Sequence, residues 1–322
     1  MSNIKILVIT PVKHINFLCE KLEAVGNVTY MEDPDFSDVI EAISQFHVIF
    51  TNPNKSKVFI GEELLRAGIN LKLIVTASTG TNHIDKVITK KMGIEIISLT
   101  KEKNTIEKIS STAELAFGLT LNSLRNINIS HKNALQGEWD YTQYIGRQMN
   151  ALTIGVIGYG RLGRMYANFC KAFGSKIIAY DPYKKIEDKG IKQVKLINEL
   201  LNVSDVISFH VHISPETTNM ADKKFFSQMK SNVLIVNTAR GEVINEKELV
   251  VFLKKNPDVR VATDVLANEI KGRKDSLLFK YALENESVII TQHIGGMTSE
   301  AQEIAYNHVA NKLKSYAEVN WQ

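Results

Sequence analysis

Apolar and polar positions along this chain recur in blocks typical of buried strands joined by amphipathic helices. In the first third of the chain, short apolar runs separated by helical periodicity occur at residues 4–9, 28–30, 47–50, 71–76 and 94–99. Runs that are apolar throughout predict strands covered on both faces, and their alternation with helices predicts a parallel sheet. Residues 1–100 are therefore predicted to form one α/β domain.

A second series of strands is predicted beyond a long helix. That helix lies within residues 101–125, and its apolar residues cover so much of its circumference that we expect it to be buried. The later apolar runs occur at residues 152–157, 176–180, 206–209, 233–236, 259–262 and 288–290. They predict a second sheet of about six strands. A last helix, from Ser299 to Tyr316, has an apolar stripe that we expect to pack back on the first domain.

Residues 152–181 contain the most informative local pattern: a strand, a Gly-rich turn, a helix and a second strand that ends in an acid. Gly158 permits a tight turn, Gly160 lets the backbone approach a pyrophosphate, and Gly163 lets the helix pack closely on the strand. The helix N-terminus favours phosphate groups. Asp181 is placed to accept from both ribose hydroxyls and to repel a 2′-phosphate. The pattern predicts a dinucleotide site that prefers NAD to NADP.

Composition excludes several other kinds of protein. The chain has 322 residues and a formal charge of +4, and its lysines are scattered, so we expect neither a nucleic-acid nor a membrane-surface partner. The two cysteines have no metal-ligand or CxxC spacing. The first ten residues are too short an apolar segment for a signal peptide, and no apolar run reaches membrane-spanning length. We expect a cytoplasmic protein without a metal site.

Polar clusters follow three of the predicted strands in the second half of the chain. They are residues 237–241 (NTARG), 263–269 (TDVLANE) and 291–296 (TQHIGG). Ligands of doubly wound sheets bind beyond the carboxyl ends of the strands, where these clusters are expected to lie. Together they supply an arginine, a carboxylate and a histidine, which suits hydride transfer to a keto acid.

At these residues the sequence resembles the D-2-hydroxyacid dehydrogenase family. The matching stretches are STGTNHID (78–85), GVIGYGRLG (155–163), NTARGEVI (237–244), TDVLANE (263–269) and TQHIGG (291–296). The resemblance implies an NAD-dependent oxidoreductase that interconverts a D-2-hydroxy acid and its 2-keto acid. It also implies a Rossmann NAD-binding domain (101–294) inserted in a discontinuous flavodoxin-like substrate domain (1–100 and 295–322). Family members usually form homodimers through the nucleotide domain.

The resemblance assigns a role to each candidate residue. Arg240 would bind the substrate carboxylate and carbonyl oxygen, as suits a planar guanidinium. His293 would be the general acid in keto-acid reduction, and Glu269 would orient it. The remaining assignments are the backbone amides of Ser78, Thr79 and Gly80 for the substrate carboxylate, Asp264 and Thr238 beside the nicotinamide, and the amides of Arg161 and Leu162 for the pyrophosphate.

Departures from the family pattern leave the substrate open. Gln292 stands where many members have proline before the catalytic histidine, and Thr51 and Thr76 stand near positions where phosphoglycerate-type members carry arginines. With Lys55 as the nearby cation, a small or hydroxylated 2-keto acid is favoured over 3-phosphoglycerate. The alternatives are a phosphoglycerate dehydrogenase-like activity and a non-catalytic NAD-sensing protein. Formate-type members carry Gln at the position of Glu269, which disfavours formate or phosphite oxidation.

Overall fold

The computed structural model describes residues 3–53 and 57–321, and the chain divides into two compact units. The first unit comprises residues 1–109 and 296–322, and the second comprises residues 110–295. Among the described residues, no helix is both long and apolar enough to cross a membrane, and no group of three or more His, Cys, Asp or Glu side chains is arranged to hold a metal ion.

The first unit is built on a five-stranded parallel sheet of order β2-β1-β3-β4-β5. Its strands are β1 (Lys5–Val8), β2 (Asn27–Tyr30), β3 (Val48–Thr51), β4 (Leu73–Thr76) and β5 (Glu95–Ile97). Its first helices are α1 (Leu18–Glu23), α2 (Phe36–Ala42), α3 (Glu62–Ala67), α4 (Lys86–Lys91) and α5 (Lys103–Ile106), with a 3₁₀ turn at Ile43–Gln45. This strand order is that of flavodoxin-like folds, so the predicted class of the first sheet is confirmed.

The second unit contains a seven-stranded parallel sheet within the described part of the chain, of order β12-β11-β10-β9-β6-β7-β8. Its strands are β6 (Thr153–Ile157), β7 (Lys176–Tyr180), β8 (Ile191–Gln193), β9 (Val206–Phe209), β10 (Leu234–Asn237), β11 (Arg260–Thr263) and β12 (Val288–Ile290). Numbered from its own first strand the order is 3-2-1-4-5-6-7, the Rossmann order extended by one strand. The sequence predicts about six strands for this sheet, one fewer than the structure has in the described residues. The missed strand, β8, is a three-residue edge strand whose sequence IKQ gives no continuous apolar run.

Helices cover both faces of this second sheet. They are α6 (Ser111–Arg125), α7 (Ile127–Ala134), α8 (Arg161–Ala172), α9 (Ile197–Leu201), α10 (Lys223–Phe226), α11 (Glu246–Lys255), α12 (Glu269–Gly272) and α13 (Leu277–Ala282). Single 3₁₀ turns lie at Tyr141–Tyr144, Met149–Ala151, Gly241–Val243 and Arg273–Asp275. Helix α6 belongs to one core with α8 and the central strands, and Ala113, Ala116 and Leu119 on it are buried. Its wide apolar face is therefore used within the second unit.

The last helix, α14 (Ser299–Asn320), lies in the first unit. Its buried residues Tyr306, Val309 and Leu313 join a core that also contains Ile6, Val8 and other residues of the first sheet. Parallel strands need cover on both faces, and α14 supplies part of the cover on one face.

The first unit extends to Ile109, nine residues beyond the boundary expected from the sequence. The reason is a polar contact between α5 and α14. Glu102, directly before α5, accepts hydrogen bonds from His308 Nε2 at 2.8 Å and from Lys312 Nζ, and Thr105 Oγ1 pairs with His308 Nδ1 at 3.1 Å. Ile106 and Ile109 pack on the same core as α14. Residues 101–109 therefore belong with the first sheet.

Candidate active site

The glycine turn, residues 158–163, leaves β6 at the point where the strand order of the second sheet reverses. Gly158 has φ +87°, and its N–H donates to the carbonyl of Tyr180 at 2.9 Å. A Cβ at Gly158 would lie 2.6 Å from the His210 carbonyl oxygen, and one at Gly163 would lie 2.0 Å from the Gly158 oxygen. Both positions thus require glycine for the fold itself, because no side chain fits between the turn and its neighbours.

Gly160 differs from the other two glycines of the turn. It directly precedes α8, whose first turn contains the half-buried Arg161 and Leu162, and a Cβ there would meet open space. The protein's own packing therefore gives no reason for glycine at this position. Open space above the N-terminus of a twelve-residue helix is what the approach of a pyrophosphate requires.

Asp181 follows the end of β7 and is tied to the glycine turn. Its Oδ2 accepts from the backbone N–H of Tyr159 at 2.9 Å, and its Oδ1 accepts from that of Tyr183 at 2.9 Å. These bonds fix the direction of the carboxylate beside the turn, where a carboxylate retains lone pairs for ribose hydroxyls. Its role toward a ribose stays a prediction.

The loop after β10 carries Arg240 and is held by Asn237. The Asn237 side chain accepts from the N–H of Ala239 at 3.0 Å and donates to the carbonyl of Arg240 at 2.9 Å. The Arg240 guanidinium donates one bond, at 2.6 Å, to the carbonyl of Ala239. A guanidinium has further N–H groups, which suit a planar carboxylate.

Thr238 lies in the same loop, and its hydroxyl is an exception to the rule that buried polar groups find partners. The residue is 6% exposed, and Oγ1 has no hydrogen-bond partner among the described residues. A hydroxyl in this condition at the carboxyl edge of the sheet is suited to meet a polar group of a ligand, as the predicted nicotinamide contact requires.

Glu269 and His293, twenty-four positions apart in sequence, are brought together by the loops after β11 and β12. Glu269 Oε1 lies 2.5 Å from His293 Nδ1, and both side chains are about one fifth exposed. Nδ1 is directed at a carboxylate, and general acid–base catalysis by a histidine oriented in this way uses the other ring nitrogen, Nε2, for proton transfer. This pair is the arrangement that general acid–base catalysis by a histidine requires.

Asp264 holds the loop that carries this histidine. It is 2% exposed, and its Oδ1 accepts from Thr291 Oγ1 at 2.5 Å and from the N–H of Ile294 at 2.8 Å, while Oδ2 accepts from the N–H of Gly295 at 2.8 Å. We call residues 291–295 the histidine turn. His293 itself has φ +56°, which is costly for a residue with a side chain. The bonds to Asp264, on both sides of His293, stabilise that conformation.

The family resemblance predicts Asp264 beside the nicotinamide, and no pattern in the sequence indicates its bonds to the histidine turn. The sequence likewise gives no sign that Tyr159, 4% exposed, donates from its hydroxyl to Asp188 at 2.7 Å. The bond from the N–H of Ala239 to the Asn237 side chain is an Asx turn, which an asparagine at the end of a strand can indicate in the sequence.

Histidines outside this loop have other surroundings. His83 is buried after β4, and its Nε2 lies 3.3 Å from Thr76 Oγ1. His210 packs its ring on Tyr166 and contacts Ser208 Oγ at 2.8 Å, and burial lowers its pKa to about 3. His212 is exposed. None of these contacts involves Glu269 or His293.

The predicted carboxylate-binding residues Ser78, Thr79 and Gly80 lie in the first unit, directly after Ala77 at the carboxyl end of β4. The Gly80 N–H donates to Ser78 Oγ at 3.0 Å, and the Thr79 carbonyl accepts from Thr100 Oγ1 at 2.9 Å. One of the predicted amides is thus bonded within the loop. Lys55, the cation expected near the substrate, lies outside the described residues.

The open space at Gly160, the helix N-terminus beside it and the unpartnered Thr238 hydroxyl fit a bound dinucleotide along one edge of the second sheet. Fold and site together define an α/β protein with a Rossmann NAD-binding domain. The chain belongs to the D-isomer specific 2-hydroxyacid dehydrogenase family, because the model of that family's NAD binding domain matches residues 117–295, more than half of the chain.

Individual relatives have different substrates in their names. The chain is 34% identical over 314 residues to the D-3-phosphoglycerate dehydrogenase of Methanocaldococcus jannaschii, covering 97% of this chain and 57% of that relative. It is 34% identical to the hydroxypyruvate reductase of Thermotoga maritima, covering 77% of this chain and 78% of the relative. A crystal structure of Aquifex aeolicus D-lactate dehydrogenase with NAD and lactic acid aligns with TM-score 0.83 at 29% identity, over 98% of this chain and 95% of that one. The chain thus spans little more than half of its phosphoglycerate-type relative.

Proposed function

We propose that this protein is an NAD-dependent oxidoreductase that interconverts a D-2-hydroxy acid and its 2-keto acid. The observation that carries the proposal is the 2.5 Å contact between Glu269 Oε1 and His293 Nδ1. This pair lies on loops that follow strands of the same parallel sheet as the glycine turn, and so at the same edge of that sheet. A proton donor and a dinucleotide site are the two parts that keto-acid reduction needs.

In the direction of reduction, NADH held by the glycine turn would supply the hydride for the C2 carbonyl carbon of the keto acid. His293 Nε2–H donates a proton to the carbonyl oxygen, which completes the hydroxy acid, and solvent reprotonates the imidazole. In the reverse direction His293 accepts the hydroxyl proton. Glu269 keeps the ring oriented throughout by accepting from Nδ1–H.

Arg240 binds the substrate in this proposal. The Arg240 guanidinium binds the carboxylate and the carbonyl oxygen, so that the charge that develops on oxygen is stabilised during hydride transfer. The role of the backbone amides of Ser78, Thr79 and Gly80 toward a carboxylate stays a prediction from the family resemblance. Because Arg240 acts on the ground state and on the transition state, Arg240→Ala should raise KM and lower kcat together.

The test is oxidation of NADH, followed by absorbance, with a panel of 2-keto acids that includes glyoxylate, pyruvate, hydroxypyruvate and 3-phosphohydroxypyruvate. NADPH is run in parallel to examine the role proposed for Asp181. We expect turnover with NADH that is lost in His293→Gln and retained in His14→Gln, a substitution of an exposed histidine of the first unit. Tight NADH binding without turnover on the whole panel would instead support an NAD-sensing protein.

A phosphorylated substrate is the second candidate, favoured by the 34% identity to a D-3-phosphoglycerate dehydrogenase. Against it, Thr51 and Thr76, near the positions of the phosphoglycerate-type arginines, are buried threonines. A small or hydroxylated keto acid is therefore the first choice. The panel decides between them by the ratio of kcat/KM for hydroxypyruvate and 3-phosphohydroxypyruvate.

We also infer a homodimer that pairs through the second unit. Around α7 and the segment after it, large apolar side chains are unusually exposed: Ile127 at 55%, Leu135 at 77%, Trp139 at 91%, Tyr141 at 80% and Ile145 at 76%. A run of exposed apolar residues of this kind marks an interaction surface. Sedimentation analysis should give twice the chain mass, and Trp139→Ser with Ile145→Ser should shift it toward the monomer.

A further inference from the structure

The loop that leads into Glu269 is held by the side chains of three glutamates. The N–H of Leu266 donates to Glu269 Oε2 at 3.3 Å, the N–H of Ala267 to Glu246 Oε1 at 3.0 Å, and the N–H of Asn268 to Glu242 Oε1 at 3.3 Å. Consecutive backbone amides thus each donate to a carboxylate. Glu269 belongs to the catalytic pair, whereas Glu242 and Glu246 come from the chain that follows Arg240.

The backbone of the segment after Arg240 is also in close contact with the backbone of residues 266–267. Gly241, the residue after Arg240, lies so close to the Leu266–Ala267 peptide that a Cβ on it would be 2.0 Å from the Leu266 carbonyl carbon. Glu242 lies in the 3₁₀ turn beginning at Gly241, and Glu246 begins α11. The segment that presents Arg240 therefore also supports the segment that presents Glu269.

Glu246 also connects the loop at residues 266–268 to the start of α13. The second oxygen of Glu246, Oε2, accepts from Ser276 Oγ at 2.8 Å and from the N–H of Leu278 at 3.4 Å, at the start of α13. Asn268 has φ +56°, a conformation that needs support from its surroundings. Helix α12 has four residues and begins at Glu269, so it is too short to fix the glutamate by its own hydrogen bonds.

We propose that Glu246, with Glu242, is a positioning residue for the acid–base pair: it fixes residues 266–268 so that the Glu269 carboxylate meets His293 Nδ1. The inference rests on the function proposed above. Neither glutamate needs to contact substrate or NAD. Hydrogen bonds from amides to a carboxylate are stronger than those between neutral groups, which suits a holding role.

Three variants of Glu246 and a control define the activity test. Glu246→Ala removes the acceptor, whereas Glu246→Gln keeps an oxygen for the Ala267 N–H. The control is Glu248→Ala, because Glu248 lies on the same helix and also accepts from a backbone N–H, that of Lys223 in α10. Glu246→Ala should lower kcat by about tenfold or more, since small displacements of catalytic groups are costly. Glu246→Gln should retain most of the activity, and Glu248→Ala all of it.

The third variant, a double substitution, separates positioning from general damage to the fold. If Glu246 acts through Glu269, then adding Glu246→Ala to Glu269→Ala should change kcat by less than about twofold, because coupled effects do not add. An equal loss in both backgrounds would overturn the proposal. Glu242→Ala, which removes the bond to Asn268, serves if Glu246→Ala does not fold.

A second measurement does not need turnover. In proton NMR of the wild-type protein, the Nδ1–H shared by His293 and Glu269 should give a downfield resonance, assigned by its absence in His293→Gln. Glu246→Ala should shift or remove that resonance, and Glu248→Ala should leave it unchanged. A resonance that Glu246→Ala leaves unmoved would contradict the inference. If Glu246→Ala moves the resonance but the wild-type protein turns over no keto acid, only the proposed function is contradicted.

Discussion

The glycine turn and the histidine turn solve the same backbone problem in different ways. Both follow a strand of the second sheet, and both contain a residue with positive φ, +87° at Gly158 and +56° at His293. At Gly158 the strain is avoided because there is no side chain. The histidine turn must present an imidazole, so it keeps the side chain and is supported from outside by Asp264. The glycine turn can therefore encode its conformation locally, whereas the histidine turn depends on a residue distant in sequence, Asp264.

The largest effect should come from removing the imidazole of His293, the residue of the histidine turn with positive φ. His293→Ala should lower kcat by about 10²-fold to 10⁴-fold, the usual contribution of a general acid. NADH affinity should remain near that of the wild-type protein, because the glycine turn is untouched. Stopped-flow kinetics and NADH titration by fluorescence measure the two quantities. Near-normal turnover would show that another group donates the proton.

Asp264→Asn should come next. An amide offers one oxygen in place of two, so the N–H groups of Ile294 and Gly295 lose a charged acceptor. We expect kcat to fall by about tenfold to a hundredfold as the histidine turn loosens. Asp258→Asn is the matched control, because Asp258 precedes the same strand, β11, at the opposite edge of the sheet. Equal kcat values for Asp264→Asn and Asp258→Asn would show that the histidine turn does not depend on Asp264.

Two alanine substitutions in the glycine turn separate folding from binding. Gly163→Ala brings a methyl group against the Gly158 carbonyl and should destabilise the protein by about 1–3 kcal/mol, as overpacking does. Gly160→Ala meets open space, so its free energy of unfolding should barely change while NADH affinity falls. Urea unfolding and NADH titration of both variants provide the test. Loss of stability in Gly160→Ala would show that the site is closed in the free protein.

The effect that is smallest at neutral pH concerns His210, whose carbonyl lies against Gly158. Burial lowers its pKa from the ordinary value of 6.5 to about 3, so the unfolded chain binds a proton more readily than the folded one. Stability should therefore be complete above pH 6.5 and decline as the pH falls toward 3, by up to about 1.4 kcal/mol per unit.

His210→Gln should flatten that decline, as measured by urea unfolding at several pH values. His212→Gln, at an exposed position two residues further on, is the control. It should leave the dependence of the free energy of unfolding on pH as it is in the wild-type protein. Parallel slopes for both variants would indicate that His210 is protonated with little cost in the folded state.

Much of the fold could be read from the sequence, because parallel strands buried on both faces are continuous apolar runs. The edge strand β8, with the sequence IKQ, lacks that signal and was missed. Residues 101–109 group with the first unit for a reason that is not local: Glu102 contacts His308 and Lys312, two hundred positions away. Contacts of this kind leave no local periodicity.

In the candidate site, too, features set by local sequence could be predicted, whereas those set by long-range contacts could not. The glycines at 158 and 163 are required by contacts within a few residues or with the neighbouring strand, and their spacing is recognisable. The role of Asp264 as the support of the histidine turn, and the convergence of Glu242 and Glu246 on residues 266–268, depend on loops that follow three different strands. Spacing in sequence does not report which loops are neighbours in space.

The division of the first unit between the two ends of the chain also sets the order in which the molecule can fold. During synthesis, residues 1–109 leave the ribosome well before α14, the helix that covers one side of their sheet. Until then, the sheet surface that packs on Tyr306, Val309 and Leu313 is exposed to water. The second unit, whose residues 110–295 are continuous, can complete its core earlier. The first unit thus begins to be made before the second unit but completes its core after it.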